Sequence, residues 1–451
     1  MYAETRLAAG EESFAGSRAP GPEPVAAPGR RPVILIFVAH YLPGFSAGGP
    51  VRSIANLVNY LGDEYDFRIV TSDRDLGDRQ SFPGVTADVW TRVGRVEVFY
   101  ARSGPGWILR CRRILRDVRP DLLYINSFFG RSFSMAVLLA WWSTRRQVHC
   151  GLLLAPRGEF SQAALGLKRR RKAAYIRMVK LLRSHSKVLW HASSAAEAAD
   201  ILRALSHGDG IAVAGPISSA APAVATALDV PPNWSGETRE FPPKPVGSLR
   251  IIFLARIVPM KNLAEALVAV RPLRGNIRFS VCGPREDKDC WEHCRRLAED
   301  MPANITVEMA GPVPHDQVRQ TLLAHDVFLL PTLGENFGHG IAEALQAGCP
   351  LVISDRTPWR HLEELGVGWD LPLRDLTIFT RVLQHCADMA PGEFDRFRRR
   401  ARAHGLAVSN DPRILNQNRE MLNAALQTRS VKACAALQGA KRVQLFSGES
   451  R

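Results

Sequence analysis

Short apolar runs alternate with longer amphipathic stretches along this chain, and they do so in two separate series. The first series runs through Val33–Ala39, Phe67–Thr71, Val96–Tyr100, Leu122–Ile125, Gly151–Ala155 and Val188–His191. The second runs through Leu249–Leu254, Phe279–Cys282, Ile305–Glu308, Val327–Leu330 and Leu351–Ser354. Runs this brief and this apolar suit strands buried on both faces of a parallel sheet, with helices filling the intervals. Between the two series the periodicity fails, and Pro231-Pro232, Pro242-Pro243 and Pro245 crowd a connecting segment. The fold expected is therefore α/β, with two Rossmann-like doubly wound domains facing each other across a cleft.

That pattern sets the boundaries. Residues 1–31, rich in Ala, Gly, Pro and Glu without an apolar core segment, read as a disordered extension and not as a signal peptide. The first domain is expected over 32–217, the proline-rich linker over 218–247 and the second domain over 248–410. Asp411-Pro412 has the form of a helix cap followed by a first-turn proline, so a helix is expected over 411–428, crossing back to the first domain. A basic, weakly patterned tail completes the chain from 429 to 451.

With 451 residues, 46% of them hydrophobic and 23% charged, the chain has enough material for two full cores. The most apolar stretches, Val33–Ala39 and Met135–Trp142, are too short to span a bilayer and read as a buried strand and a core helix. Eight scattered cysteines suit reduced thiols in a cytoplasm. Cys290, His293 and Cys294 lie close together but have no second pair of ligands nearby, which favours packing over metal. The net charge of +15 calls for an anionic partner, with nucleic acid, a membrane surface and phosphorylated small molecules all open.

Chemistry concentrates where strands end. After Val327–Leu330, the segment Gly334-Glu335-Asn336-Phe337-Gly338-His339-Gly340-Ile341-Ala342-Glu343 sets one carboxylate in a glycine-rich loop and another eight residues on, in the following helix. Open α/β sheets bind ligands at such strand ends, and the amides of Asn336, Phe337 and Gly338 at a helix start would suit an anion. After Leu249–Leu254 come Arg256 and Lys261, a planar fork and a point charge able to clamp a pyrophosphate from two sides. Fixed cations there would stabilise the charge left on a departing nucleoside diphosphate. Cys282-Gly283-Pro284 and Gly311-Pro312-Val313 follow the next two strands, and Gly48-Gly49 follows the first strand of the chain, where a backbone without side chains can approach a phosphate. Asp73-Arg74-Asp75 and Asp287-Lys288-Asp289 have the form of metal-binding pairs, yet the Arg/Lys clamp already supplies the charge, so no metal or other cofactor is expected.

The order of these features resembles the retaining GT-B glycosyltransferases of family 4, the "glycosyl transferases group 1" type, over roughly Val33 to Leu426. The resemblance implies a GT-B fold and transfer of a hexose from a UDP- or GDP-sugar to a glycan or polyprenyl-diphosphate-linked acceptor, as in bacterial surface polysaccharide or lipopolysaccharide synthesis. It implies that Arg256 and Lys261 hold the diphosphate, that Glu335 meets hydroxyls of the donor sugar and that Glu343 binds the ribose. Gly283, Pro312, Val313, Asn336, Phe337 and Gly338 would line the donor, with the turn at Gly311 bordering the base and Gly48 and Gly49 covering it from the other domain. Many members place a His-Gly pair beside the reacting sugar, where this chain has Arg157-Gly158, so Arg157 stands as a catalytic candidate. His191 and His40 end nearby strands. A second departure is Ala214-Gly215, where the family shows Asn-Gly.

Lys168, Arg169, Arg170, Arg171 and Lys172 open a segment reaching Lys187 without an acidic residue, with Tyr175, Met178, Val179 and Leu182 at helical spacing. Such a helix can lie on an anionic bilayer, so the expected location is cytoplasmic, peripheral on the inner face of the plasma membrane. Two other functions remain open at this level: a retaining glycosidase using Glu335 and Glu343, which would need the carboxyl groups about 5–5.5 Å apart, and a basic nucleic-acid-binding protein. Against nucleic acid, the basic residues lack interleaved aromatics.

Overall fold

The computed structural model describes residues 30–44, 46–102, 104–166, 169–181, 188–205, 212–214, 241–409 and 411–428. Most of the N-terminal extension, the linker up to residue 240, Gly215, Lys168 and the tail from 429 lie outside these residues.

The first sheet contains β1 (Val33–Phe37), β2 (Asp66–Ser72), β3 (Trp90–Val93), β4 (Val96–Ala101), β5 (Leu122–Asn126), β6 (Gly151–Ala155), β7 (Leu189–His191) and β8 (Ala212–Ala214). Its order is β3-β4-β2-β1-β5-β6-β7-β8, parallel except for the β3–β4 hairpin. The middle strands β1, β5 and β6 are buried along their whole length, which is why they read as unbroken apolar runs. The accompanying helices are α1 (Gly49–Leu61), α2 (Trp107–Val118), α3 (Ala136–Thr144), α4 (Gln162–Gly166), α5 (Arg169–Leu181) and α6 (Ala195–Leu205). Val51, Ile54, Leu57, Val58 and Leu61 bury one face of α1 against one side of the sheet. Cys111, Ile114 and Leu115 of α2, with Val137 and Ala140 of α3, cover the other side.

The second sheet is parallel throughout, ordered β11-β10-β9-β12-β13-β14, from β9 (Ser248–Leu254), β10 (Asn276–Cys282), β11 (Ile305–Gly311), β12 (Val327–Leu330), β13 (Leu351–Ser354) and β14 (Gly368–Leu371). Its helices are α7 (Leu263–Val270), α8 (Lys288–Glu299), α9 (His315–Leu323), α10 (His339–Gln346), α11 (Leu376–Asp388) and α12 (Pro391–Ser409). A buried polar knot anchors its base. Asp326 accepts from Arg250 Nε at 3.0 Å and from the buried Arg398 at 3.3 Å, so a charge that would be costly alone is shared among partners. The last part of the proline-rich segment belongs to this domain's packing: Lys244 is buried and donates to the carbonyls of Ala387 and Met389.

The final helix, α13 (Pro412–Gln427), is capped by Asp411, which accepts from Arg413 N. It lies against the first domain, where Met421, Leu422 and Ala425 enter the core around α1. Arg419 pairs with Glu64 at 2.6 Å, and Tyr65 donates to Asn423 at 2.9 Å.

Three expectations need correction. Three short edge strands, β3, β8 and β14, escaped the pattern of apolar runs: Trp90–Val93 is nowhere buried, Ala212–Ala214 is only three residues long, and Gly368–Leu371 has only its ends buried. The expected core helix Met135–Trp142 is instead a π-turn over Arg131–Met135 followed by α3, and Leu139 and Trp142 of α3 face outward. The basic helix is described only as far as Leu181. Of its apolar stripe, Tyr175 and Val179 pack inward against the aromatic cluster of Phe128 and Phe160, while Met178 is exposed. Lys172 donates to Ala164 O and lies over the Phe129 ring, so it is a packing residue, whereas Arg169, Arg170 and Arg171 are exposed. No helix among the described residues is long and apolar enough to cross a membrane.

Candidate active site

The carboxyl ends of both sheets meet at a cleft of about 250 Å³. Arg157 and Glu335 line it, and so do Gly48, Gly49, Arg256, Lys261, Gly283, Pro312, Val313, Asn336, Phe337, Gly338 and Glu343. Two helices, one from each domain, open onto it. α1 begins after Gly48 and α10 after Gly338, neither N-terminus is capped by a side chain, and both starts line the cleft. The positive ends of the helix dipoles make such termini favourable for an anion, although Pro50 offers α1 no amide and the amides of Val51 and Ile341 already bond to Gly48 O and Gly338 O. The two starts approach so closely that a Cβ on Gly49 would lie 2.6 Å from His339 Cδ2, a position only glycine can fill without displacing the ring.

The charged side chains are already matched. Lys261, carried on the turn after β9, forms an ion pair with Glu335, both largely buried, with side chains 11% and 17% exposed. Thr332 and the amide of Leu333 bond to Met260 O, which ties the loop after β12 to the lysine turn. Trp359 donates to Phe337 O at 2.6 Å and fixes that loop from behind. Arg256 reaches Glu286 at 3.0 Å and stays nearly half exposed. Across the cleft, Arg52 of α1 pairs with the buried Glu343 of α10, joining the two domains.

Arg157 adopts a left-handed backbone, φ 55°, which costs a residue other than glycine about 1–2 kcal/mol. Its guanidinium is held by Asn126 Oδ1 and by Tyr124 Oη, each at 3.1 Å. Tyr124 in turn bonds to His191 Nδ1 at 2.7 Å, so His191 stands one residue behind Arg157 and not on the cleft wall. His40 contacts Arg74 O and also lies off the wall. Next to Arg157, Gly158 turns at φ 80° and packs on Asn336, where a Cβ would meet the Asn336 side chain at 3.2 Å.

Several residues of this site carried no local signal in the sequence: Arg52, His339, Glu286, Ser193 and Glu197. Glu197 is buried and accepts from Gly158 N at 2.5 Å, Ser193 N at 2.7 Å, Ser193 Oγ at 2.6 Å and, across the domain boundary, Asn336 Nδ2 at 3.1 Å. Asn336 also bonds to Ser193 Oγ. The acidic pairs with metal-site form serve the scaffold: Asp287 caps α8, Asp73 binds Arg74 and Ser81, and Asp75 accepts from Ser46 N.

Burial holds His339 neutral, its pKa well below the usual 6.5, and the cations Arg52, Arg157 and Lys261 push in the same direction. His191 is lowered likewise, by burial and then by Arg157. An unfolded chain binds a proton at these rings from about pH 6.5 downward while the folded chain refuses it, so stability must fall as pH falls. Thermal melts from about pH 7.5 to 5.5 are expected to show that loss, with a shallower slope in His339→Gln; a flat profile would contradict the assignment.

Two family models match the chain in order: "Glycosyl transferase 4-like domain" over residues 48–214 and "Glycosyl transferases group 1" over 235–369. The amylovoran biosynthesis glycosyltransferase AmsK of Erwinia amylovora is 30% identical over 157 residues, 32% of this chain and 38% of that protein. WcaL of Escherichia coli strain K12, named for colanic acid biosynthesis, is 30% identical over 177 residues, 36% of this chain and 43% of that one. The match thus spans less than half the length of these relatives. Among solved structures, HepE of Anabaena in complex with UDP-glucose superposes with a TM-score of 0.58 at 12% identity, covering 86% of this chain and 98% of that chain. The fold is GT-B, and the cleft lies between its two halves. The chain belongs to the group 1 glycosyltransferases.

Proposed function

We propose that this chain transfers a hexose, with retention of configuration, from a UDP- or GDP-sugar to a glycan or polyprenyl-diphosphate-linked acceptor in cell-envelope polysaccharide or lipopolysaccharide synthesis. The observation that carries this reading is the convergence of Arg256, Lys261 and two uncapped helix starts on one cleft. That is a site for a dianionic diphosphate. The UDP-glucose named for HepE and the amylovoran named for AmsK support the donor and the acceptor classes.

In this reading the donor diphosphate lies between Lys261 and Arg256, whose charge does the work a divalent cation does in other transferases. Glu335 and the loop through Phe337 and Gly338 hold sugar hydroxyls, Glu343 holds the ribose, and the turns at Gly283, Pro312 and Val313 bound the nucleoside. The acceptor hydroxyl attacks the anomeric carbon from the face the diphosphate leaves. The bond from carbon to the β-phosphate oxygen breaks, the glycosidic bond forms and the acceptor proton passes to the departing phosphate. Lys261 and the helix starts stabilise the charge on that phosphate, and Arg157 faces the reacting sugar from the first domain. Each of the two carboxylates is engaged by its own cation, Lys261 or Arg52, which suits holding and not the acid–base division of a glycosidase.

A thermal-shift screen against UDP-, GDP- and ADP-sugars tests the reading. One nucleotide family should raise the melting temperature by several degrees, corresponding to about 2.7 kcal/mol at roughly 100-fold excess over Kd. No shift with any of them would remove the donor site.

A further inference from the structure

The first domain carries an outward face that its own core does not use. α2 and α3 lie side by side and run in the same direction, since Trp107 at the start of α2 donates to Ser132 O at 2.7 Å and Arg116 near its end donates to Gln147 Oε1 at 2.8 Å. Their inward residues are buried, but Ile108 and Leu109 of α2 are 41% and 65% exposed, and Leu139 and Trp142 of α3 are 58% and 56% exposed. Leu139, Trp142 and Ser143 stand at the spacing of a single helical stripe. Four large apolar side chains turned to water on two adjacent helices are not explained by packing.

The rest of the face is cationic. Arg113 and Arg116 continue the α2 stripe, and Arg145 and Arg146 follow α3, with Arg145 over the Trp142 ring at 4.9 Å. Asp117 is the single acidic residue in 107–118 and 136–147, and it lies beside Arg113. Apolar groups including an exposed tryptophan, bordered by arginines, match the acyl boundary and phosphate layer of an anionic bilayer. Ile108 and Leu109 stand at the start of α2, whereas Leu139 and Trp142 stand in the middle and last turn of α3, so the apolar groups run along the face and the arginines border them.

We infer that the α2–α3 face seats the protein on an anionic membrane, apolar residues entering the headgroup boundary and arginines meeting lipid phosphates. The basic helix α5 is not the primary contact, since its stripe residues Tyr175 and Val179 are taken up by the core. This deepens the lipid-linked-acceptor reading, and it rests on that reading only for the acceptor.

Co-sedimentation without any donor tests it, using phosphatidylcholine vesicles with and without about one-third phosphatidylglycerol. The unmodified protein should bind only the anionic vesicles. Leu139→Ser with Trp142→Ser, and separately Arg113→Glu with Arg146→Glu, should each weaken binding by at least about tenfold, while Arg169→Glu, Arg170→Glu and Arg171→Glu together change it by less than about threefold. The altered residues are exposed, so melting temperatures should be unchanged. The inference falls if the unmodified protein ignores anionic vesicles, if the apolar pair binds as before, or if only the α5 variant loses binding. It also falls if the apolar pair converts a dimer to a monomer with vesicle binding intact, which would make the face a protein contact. Vesicle binding without any donor-induced shift would overturn the proposed function and leave this face standing.

Discussion

Lys261→Ala is expected to lower kcat/KM by about 10²–10³, the range seen when one fixed donor to developing negative charge is removed from an enzyme. The ammonium is largely buried and already oriented by Glu335, so little reorganisation separates the resting protein from one gripping a diphosphate. Removing it does two things. In the proposed reading it takes away a cation facing the departing phosphate, and it leaves Glu335 as an uncompensated carboxylate on the same wall, opposing an anionic donor. Lys261→Arg should recover little, because a planar guanidinium does not occupy the place of a compact point charge. Steady-state kinetics with the donor that stabilises the protein checks this, and the split between constants is informative. A fall mainly in kcat places Lys261 on the leaving group, whereas a change confined to KM assigns it to ground-state binding. A loss smaller than about threefold would end its role in the clamp.

Much of this arrangement can be read from the chain because the relevant signals are local. β1, β5 and β6 are buried on both faces, so each is a continuous apolar run, and the residues just past such runs fall at the cleft wherever the sheet is parallel. Arg256, Lys261, Gly283, Pro312 and Glu335 were found in this way, as strand-end residues. What stayed hidden is contact between distant segments. Glu343 stands out only as the second carboxylate of its own motif and Arg52 not at all, and only the closing of one domain on the other makes them a pair. Glu197 looks like an acidic residue in the first turn of α6, and its four donors come from three separate loops. Composition misled in one place: AVLLAWW reads as core on every side, yet among the described residues Leu139 and Trp142 of α3 stay exposed. Hydrophobicity states what prefers to leave water, not whether protein or lipid receives it.

Glu197→Ala should produce the larger structural effect, because three of its donors belong to the first domain and all are left without a buried acceptor. Hydrogen bonds to a charged group contribute about 1.5–3 kcal/mol each and are not additive, so a loss of roughly 3–5 kcal/mol in stability is expected, read as a lowered denaturation midpoint. The same carboxylate holds the amide of Gly158, the residue after Arg157, so activity should fall beyond what the remaining folded fraction accounts for. Asn336→Ala separates these consequences. It removes only the contact that crosses between domains, to Ser193 and Glu197, and leaves the first-domain donors in place. It should therefore barely move the midpoint yet reduce kcat/KM by about tenfold, the cost of one unmade polar contact between domains that must be aligned for transfer. If the contact is a true coupling, Ser193→Ala in the Asn336→Ala background should add little further loss of kcat/KM, an interaction energy of about 0.5–3 kcal/mol between the two changes, while still lowering stability through the lost Ser193 Oγ bond to Glu197. Strict additivity would mean that Asn336 acts on the donor alone and that the domains are aligned by Arg52 and Glu343 instead.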